Sequence, residues 1–194
     1  MLEQPPCSVG ILVDRGLGGG SHICASNVSS TITVFFFGGR DDREALAYGR
    51  RMAEHPGITL NVVRFLPSSD MGVESTVVDI DQTILTEFKE KKTEDESVRY
   101  EERAVGKGSE AVEVIKEFSR CHLILVGQAP EGPVFESLHL KINAEFSELG
   151  PVGGLLTSPE LSTAASVLVV QQFRGPLVPS PSTSTAMVLP EDVE

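Results

Sequence analysis

Apolar residues in this chain fall into short unbroken runs, separated by segments in which they recur every three or four positions. Thr31 to Phe37 (TITVFFF) is β-branched and aromatic with no polar alternation, the pattern of a strand covered on both faces. Gly38, Gly39 and Arg40 break the run, and Asp41 is expected to open a helix. Glu44 follows three residues later, as in a carboxylate relative of the capping box. Ala45, Tyr48, Gly49, Met52 and Ala53 form the stripe expected to pack on a sheet, with Arg43, Glu44, Arg50, Arg51 and Glu54 on the other side. His55, Pro56 and Gly57 stop the helix. Ile58 to Leu66 (ITLNVVRFL) reads as a second strand, so the three elements make a βαβ crossover with parallel strands.

The same rhythm continues. Asp79 to Lys92 predicts an amphipathic helix, with Ile80, Ile84, Leu85 and Phe88 inward and Asp81, Glu87, Lys89 and Lys91 solvated. Val98 to Val105 alternates weakly, as an edge strand does. Ser109 is expected to cap a helix running to Ser119, with Ala111, Val112, Ile115 and Phe118 inward. Leu123 to Val126 is another buried strand, closed by Gly127. Gln128 to Phe146 reads as a loop with a helical turn or two in Val134 to Ile142, Ser147 to Leu156 as a short helix, and Ala165 to Gln171 as the last strand. This order predicts an α/β fold: a doubly wound, mostly parallel sheet with helices on both faces. Ligands in such folds sit at the carboxyl ends of the strands, a rim that here carries Gly38, Gly39, Arg40, Gly127 and Gln128.

Ahead of this unit, Cys7 to Asp14 is a further apolar strand, followed by RGLGGG and a stretch with no helical period. A phosphate loop needs Gly-Lys-Ser/Thr at the mouth of a helix, so residues 15–30 read as a Gly/Ser-rich linker. Cys7 to Val13 (CSVGILV) and Ala165 to Val170 (ASVLVV) share a small residue, a serine, a valine and an apolar run. Each would close a repeat, which makes residues 1–14 the terminal strand of a preceding one. Residues 31–173 form the α/β domain. The Pro-, Ser- and Thr-rich residues 174–194 form a tail expected to be disordered.

Charge and chemistry narrow the function. A net charge of −12 argues against a nucleic-acid partner, which needs basic patches. The three cysteines match no disulfide scaffold, and free thiols are expected. No apolar run reaches the ~20 residues of a membrane span, so this fragment is not expected to insert directly into a membrane. His22 and Cys24 are two potential ligands, too few for a metal site. The run Glu94-Asp95-Glu96 lacks the spacing and glycine of a calcium loop. Cys121 and His122 read as a packed thiol and a strand-entry imidazole. With no nucleophile beside a base, no catalytic residue is expected and the chain does not read as an enzyme.

The βαβ unit, the string VRYEERAVGKGSEAVEVIKEFSRCHLILVG, Leu149-Gly150 and the closing ASVLVV together resemble the universal stress protein fold. The resemblance implies five parallel strands in the order 3-2-1-4-5, dimerisation through the last strand and, in many members, ATP binding. More narrowly, CSVGILVDRGL, VFFFGGRDDREALAYGRRMAEHPGI, LNVVRF, ELGPVGGLL and ASVLVVQQ resemble the cytosolic C-terminal region of plant cation/proton exchangers. That resemblance implies a multi-pass protein of the plasma membrane or an endomembrane. Its transmembrane transport domain lies upstream and is the natural partner of this region on the cytoplasmic side. It also implies a non-catalytic regulator of potassium (monovalent cation)/proton exchange and pH homeostasis, with homodimerisation through edge strands open to it. Ser8 to Val13 would then add beside the last strand, imitating the dimer contact.

The family's nucleotide site does not carry over intact. Gly127 matches the first glycine of its glycine-x-x-glycine, but Pro130 stands at the second, the segment to Gly150 is too long, and Pro151 replaces a hydroxyl residue. Phe37 replaces the nucleoside-binding aspartate. Proline lacks an N–H donor and a phenyl ring accepts no ribose hydroxyl. What remains is a ligand rim of Gly38, Gly39, Arg40, Gly127, Gln128 and Gly150. It could hold an anion at the helix start, or Arg40 could pair with Asp41 or Asp42 while the glycines make the turn. No cofactor is expected. The alternative function is a nucleotide-sensing module that binds ATP or AMP on this rim.

Overall fold

The computed structural model describes residues 6–17, 29–68, 80–92, 97–137, 144–161 and 163–175. His22, Cys24, the run Glu94-Asp95-Glu96, most of the linker and the tail beyond Gly175 lie outside them, as does Val134 to Ile142 beyond Ser137. The elements in chain order are β1 (Val9–Val13), β2 (Ser30–Phe36), α1 (Arg40–Ala53), β3 (Ile58–Pro67), α2 (Ile80–Lys92), β4 (Val98–Val105) and α3 (Gly108–Phe118). They continue with β5 (Leu123–Gly127), α4 (Pro133–Ser137), a 3₁₀ turn (Ala144–Leu149), α5 (Gly150–Thr157) and β6 (Ser166–Gln171).

The strands form one sheet in the order β1-β6-β5-β2-β3-β4. β2, β3, β4, β5 and β6 are parallel to their neighbours; β1 runs antiparallel to β6. Counted along the chain from β2, the five parallel strands have the order 3-2-1-4-5, and β1 is the additional strand at the edge. The chain's direction across the sheet reverses between β2 and β5, which is where an open α/β sheet leaves a crevice at the strand ends.

Unbroken apolar runs form the central strands because both faces are covered. On one face Ile32, Val34, Phe36, Leu60, Val62, Leu123 and Leu125 pack against Ala45 and Leu46 of α1 and Leu85 and Phe88 of α2. On the other, Phe35, Phe37, Val63, Phe65, Ile124 and Val126 pack against Ala111 and Ile115 of α3 and Val152 and Leu156 of α5. Phe37 stacks on Phe65 with centroids 4.2 Å apart and is part of the core. β1 is fastened at its end. Asp14 accepts hydrogen bonds from the Gly16 and Leu17 N–H groups and the Ser166 hydroxyl, while the Arg15 guanidinium donates to the Thr157 and Thr163 carbonyls.

Four local expectations are corrected. α1 begins at Arg40 with Gly39 as its cap and no side-chain cap bond, so Asp41 and Glu44 make no capping box. In the same helix Leu46 faces the core at 3% exposure and Tyr48 faces out at 44%, the reverse of its assigned side. Lys107, not Ser109, occupies the cap position of α3, and Glu110 instead takes the Gly106 N–H. At the start of α2, Ile80 is 62% exposed and Asp81 is 8% exposed. The first turn of α2 meets polar strand ends rather than the core, and an N–H donor waits there.

The α1 stripe is directly testable. Leu46→Ala is expected to cost about 2–5 kcal/mol in chemical denaturation, and Tyr48→Ala no more than about 0.5 kcal/mol. Equal costs would contradict the observed helix face.

Candidate functional site

At the switch point, β2 is followed by Gly38 and Gly39, whose φ angles of 141° and 94° lie where side chains are rarely tolerated. That turn aims the first residues of α1 back across the ends of β2 and β5. Asp42 is fully buried there. Its Oδ2 accepts hydrogen bonds from the N–H groups of Phe37 (2.8 Å) and Gly38 (2.9 Å), and its Oδ1 from that of Gly127 (2.8 Å). Asp41, also fully buried, accepts from the Gln172 N–H at 2.9 Å and the Ala129 N–H at 3.1 Å, with Arg174 at 3.6 Å. From α2, Asp81 accepts the Gly39 N–H at 2.8 Å and pairs with Arg43. Three aspartates therefore satisfy the backbone donors at the ends of β2, β5 and β6, and two of them also place negative charge in the first turn of α1, where the helix dipole favours it.

All six residues of the expected rim are drawn into this neighbourhood. Gly127 lies so close under α1 that a Cβ would stand 2.5 Å from Asp42 Oδ1 and 2.7 Å from the Asp42 nitrogen. Gly38 hydrogen-bonds through its carbonyl to the Glu131 N–H at 2.9 Å. Arg40 pairs with Glu131 at 3.8 Å, on the surface, and not with Asp41 or Asp42. Gln128 donates its N–H to the Val170 carbonyl and its side-chain amide to the Glu148 carbonyl. Gly150 sits against the Gln128 carbonyl with no room for a side chain.

Asp41, Asp42, Asp81 and Glu131 are the residues of this rim that the sequence reading did not place there. A signal existed for two of them: an Asp-Asp pair one residue after Gly-Gly, just past the end of a buried strand. Asp81 had none, since its helical spacing reads as solvent-facing.

Burial pushes the Asp42 carboxyl up to about 7, against the N–H donors of Gly38, Phe37 and Gly127 that lower it, and the charge of Asp81 adds to the rise. At the opposite ends of the strands, His122 Nδ1 accepts the Thr31 N–H at 3.0 Å. The Cys121 thiol is pushed up by burial. Among the described residues no three His, Cys, Asp or Glu side chains are arranged to hold a metal ion.

Residues 29–171 match the family described as plant cation/H(+) antiporter, C-terminal domain. The chain belongs to this family. Cation/H(+) antiporter 17 of Arabidopsis thaliana is 46% identical over 220 residues, covering 100% of this chain and 27% of that protein. Cation/H(+) antiporter 18 of the same plant is 47% identical over 191 residues, covering 90% of this chain and 23% of its own. The chain thus spans about a quarter of the length of these antiporters. Among solved structures, a universal stress protein from Archaeoglobus fulgidus DSM 4304 is similar with a TM-score of 0.45 at 14% identity, covering 86% of this chain and 50% of that one. Among the described residues of this antiporter domain, no helix is long and apolar enough to cross a membrane.

Asp42 gives the domain a distinctive pH dependence. Its folded value of about 7 lies above the ordinary 3.8, so the folded state binds the proton more tightly than the unfolded chain. That contribution to stability is complete below about pH 4 and is lost as pH rises through about 7. Between pH 5 and 7.5 the wild-type chain is expected to lose roughly 2–3 kcal/mol through this group. In Asp42→Asn this part of the slope should vanish in urea unfolding; parallel pH profiles for the two proteins would contradict it.

Proposed function

We propose that this chain is a non-catalytic, cytosolic regulatory domain of a potassium (monovalent cation)/proton antiporter. It would adjust exchange through contacts with its own transmembrane transport domain or with a sister subunit. The observation that carries this reading is the occupied rim. Amides at the strand ends that could receive an anionic ligand already hold Asp42, Asp41 and Asp81, and membership of a family of antiporter C-terminal domains, with relatives about four times this chain's length, supports the reading. The transported ion, the membrane and the cytoplasmic side come from the family resemblance, and none of the transport residues is assigned to this chain.

The pairing of β1 supports a second part of the proposal, that residues 1–14 close a preceding repeat, 15–30 link it to the domain at 31–173, and 174–194 form a tail. Val9 pairs with Gln171 and Val13 with Val167, about a centre where Ile11 faces Val169. In the echo between the two segments, Val9 corresponds to Val167 and Val13 to Gln171, so a two-fold at the centre exchanges the two pairs. β1 therefore stands on β6 as a second copy of β6 would. The β6 edge is covered by this strand, so a homodimer would use the outer edge of β1 or of β4.

In full-length antiporter reconstituted in vesicles, removing residues 31–173 is expected to change the rate of potassium/proton exchange while leaving cation preference as it was. Adenine nucleotides are expected to leave the melting temperature of the 194-residue chain unchanged, whereas a ligand at ~100 times its dissociation constant would add about 2.7 kcal/mol of stability. An unaltered rate after removal would defeat the regulatory role. A nucleotide-dependent rise in melting temperature would hand the rim to the nucleotide-sensing alternative.

A further inference from the structure

Charged groups reach the neighbourhood of Asp42 from every element that borders it. α1 contributes Arg40, Asp41, Arg43 and Glu44; α2 contributes Asp81; the segment after β5 contributes Glu131; the segment after β6 contributes Arg174. Glu148 ends the 3₁₀ turn, and its carbonyl holds the Gln128 side chain. Arg43 is paired with Asp81, Arg40 with Glu131, and Arg174 with Asp41. Asp42 belongs to none of these pairs, and its hydrogen bonds come from the peptide N–H groups of Phe37, Gly38 and Gly127.

The two oxygens of that carboxylate are not equivalent. Oδ2 faces two N–H donors and Oδ1 faces one, that of Gly127. A proton from water therefore costs least on Oδ1. A carboxyl O–H oxygen is a weaker acceptor than a carboxylate oxygen, and a hydroxyl proton turned toward a buried N–H is repelled by it. Protonation thus keeps the bonds to β2 and weakens the one to β5. Gly127 pairs with Val170 of β6 and leads a segment tied at several other points: the Gln128 N–H to the Val170 carbonyl, its side-chain amide to the Glu148 carbonyl, the Ala129 N–H to Asp41, and Glu131 to the Gly38 carbonyl and Arg40.

We propose that Asp42 is a proton-operated latch between α1 and the carboxyl end of β5. Ionised, it holds Gly127. Protonated, it slackens its hold on the Gly127 N–H, while the ties of residues 128–131 to β6 and the rim remain. Burial that pushes this carboxyl up to about 7 places the turnover of the latch near neutral pH. As a means of regulation the latch rests on the reading of the chain as an antiporter's regulatory domain; as a chemical device it stands apart from that reading.

The test is a pH titration from 5 to 9 of the whole 194-residue chain, labelled with ¹³C and ¹⁵N. The expected result is that the Asp42 side-chain carboxyl carbon titrates with a midpoint between about 6 and 8. The Gly127 amide should move with the same midpoint and lose about tenfold of its protection from hydrogen exchange on the acid side. In Asp42→Asn, oriented with its single carbonyl oxygen toward β2, Gly127 should show the slackened behaviour at every pH. An Asp42 midpoint below pH 5, or a Gly127 amide that ignores the Asp42 midpoint, overturns the proposal. The wild-type titration decides this alone if the variant does not fold. An antiporter whose exchange rate ignores removal of the domain would instead remove the regulatory reading and leave a titrating latch in place.

Discussion

Three peptide N–H groups at the ends of two parallel strands converge on one buried carboxylate, and the local architecture follows from that contact. In a doubly wound sheet the switch point leaves unpaired donors beside a helix N-terminus, an arrangement that attracts an anion. Here the anion is Asp42, supplied by the helix itself. Gly127 must lack a side chain because α1 lies across it, and Gly38 and Gly39 must take positive φ to turn the helix back over the strand ends. Asp41 and Asp81 extend the same solution to β6 and to the Gly39 amide. Leaving those donors unsatisfied in a buried site would cost about 1–3 kcal/mol each.

The sheet was legible in the sequence because its signals are cooperative along several residues. TITVFFF and LILVG have no polar alternation, so both faces must be covered, and a helix between two such runs enforces parallel pairing. The place of β1 beside β6 was expected through the resemblance to a fold that pairs through its last strand, and the Ser-Val-apolar echo by itself named no partner. Single-residue assignments fared worse where a tertiary partner outbid a local preference. Asp41 and Ser109 have the chemistry of caps, yet Asp41 is drawn to donors on other strands, and Ser109 lies inside a helix that begins a residue earlier. Asp81 has the spacing of a solvated position, but the Gly39 donor it meets is more than forty positions away in the chain. The rim itself was readable as a location. Its occupant was not, because no sequence pattern states which way the aspartates of a first helical turn will face.

The crevice at the strand ends is closed by the chain's own carboxylates. Phe37 is sealed into the core by Phe65. The edge of β6, where a like strand would add, is already covered by β1 in the geometry of a two-fold contact. The strand ends and the β6 edge are thus each filled by an internal interaction, which leaves proton occupancy of a buried carboxyl as the chemical variable closest to the rim.

The central claim is that Asp42 is the resident anion of the strand ends, and a crystal structure of this chain grown with millimolar ATP and inorganic phosphate tests it most directly. The account predicts Asp42 oxygens within hydrogen-bond distance of the Phe37, Gly38 and Gly127 nitrogens and no phosphate on them. A phosphate group bound to those nitrogens, with the Asp42 side chain turned away, would contradict it.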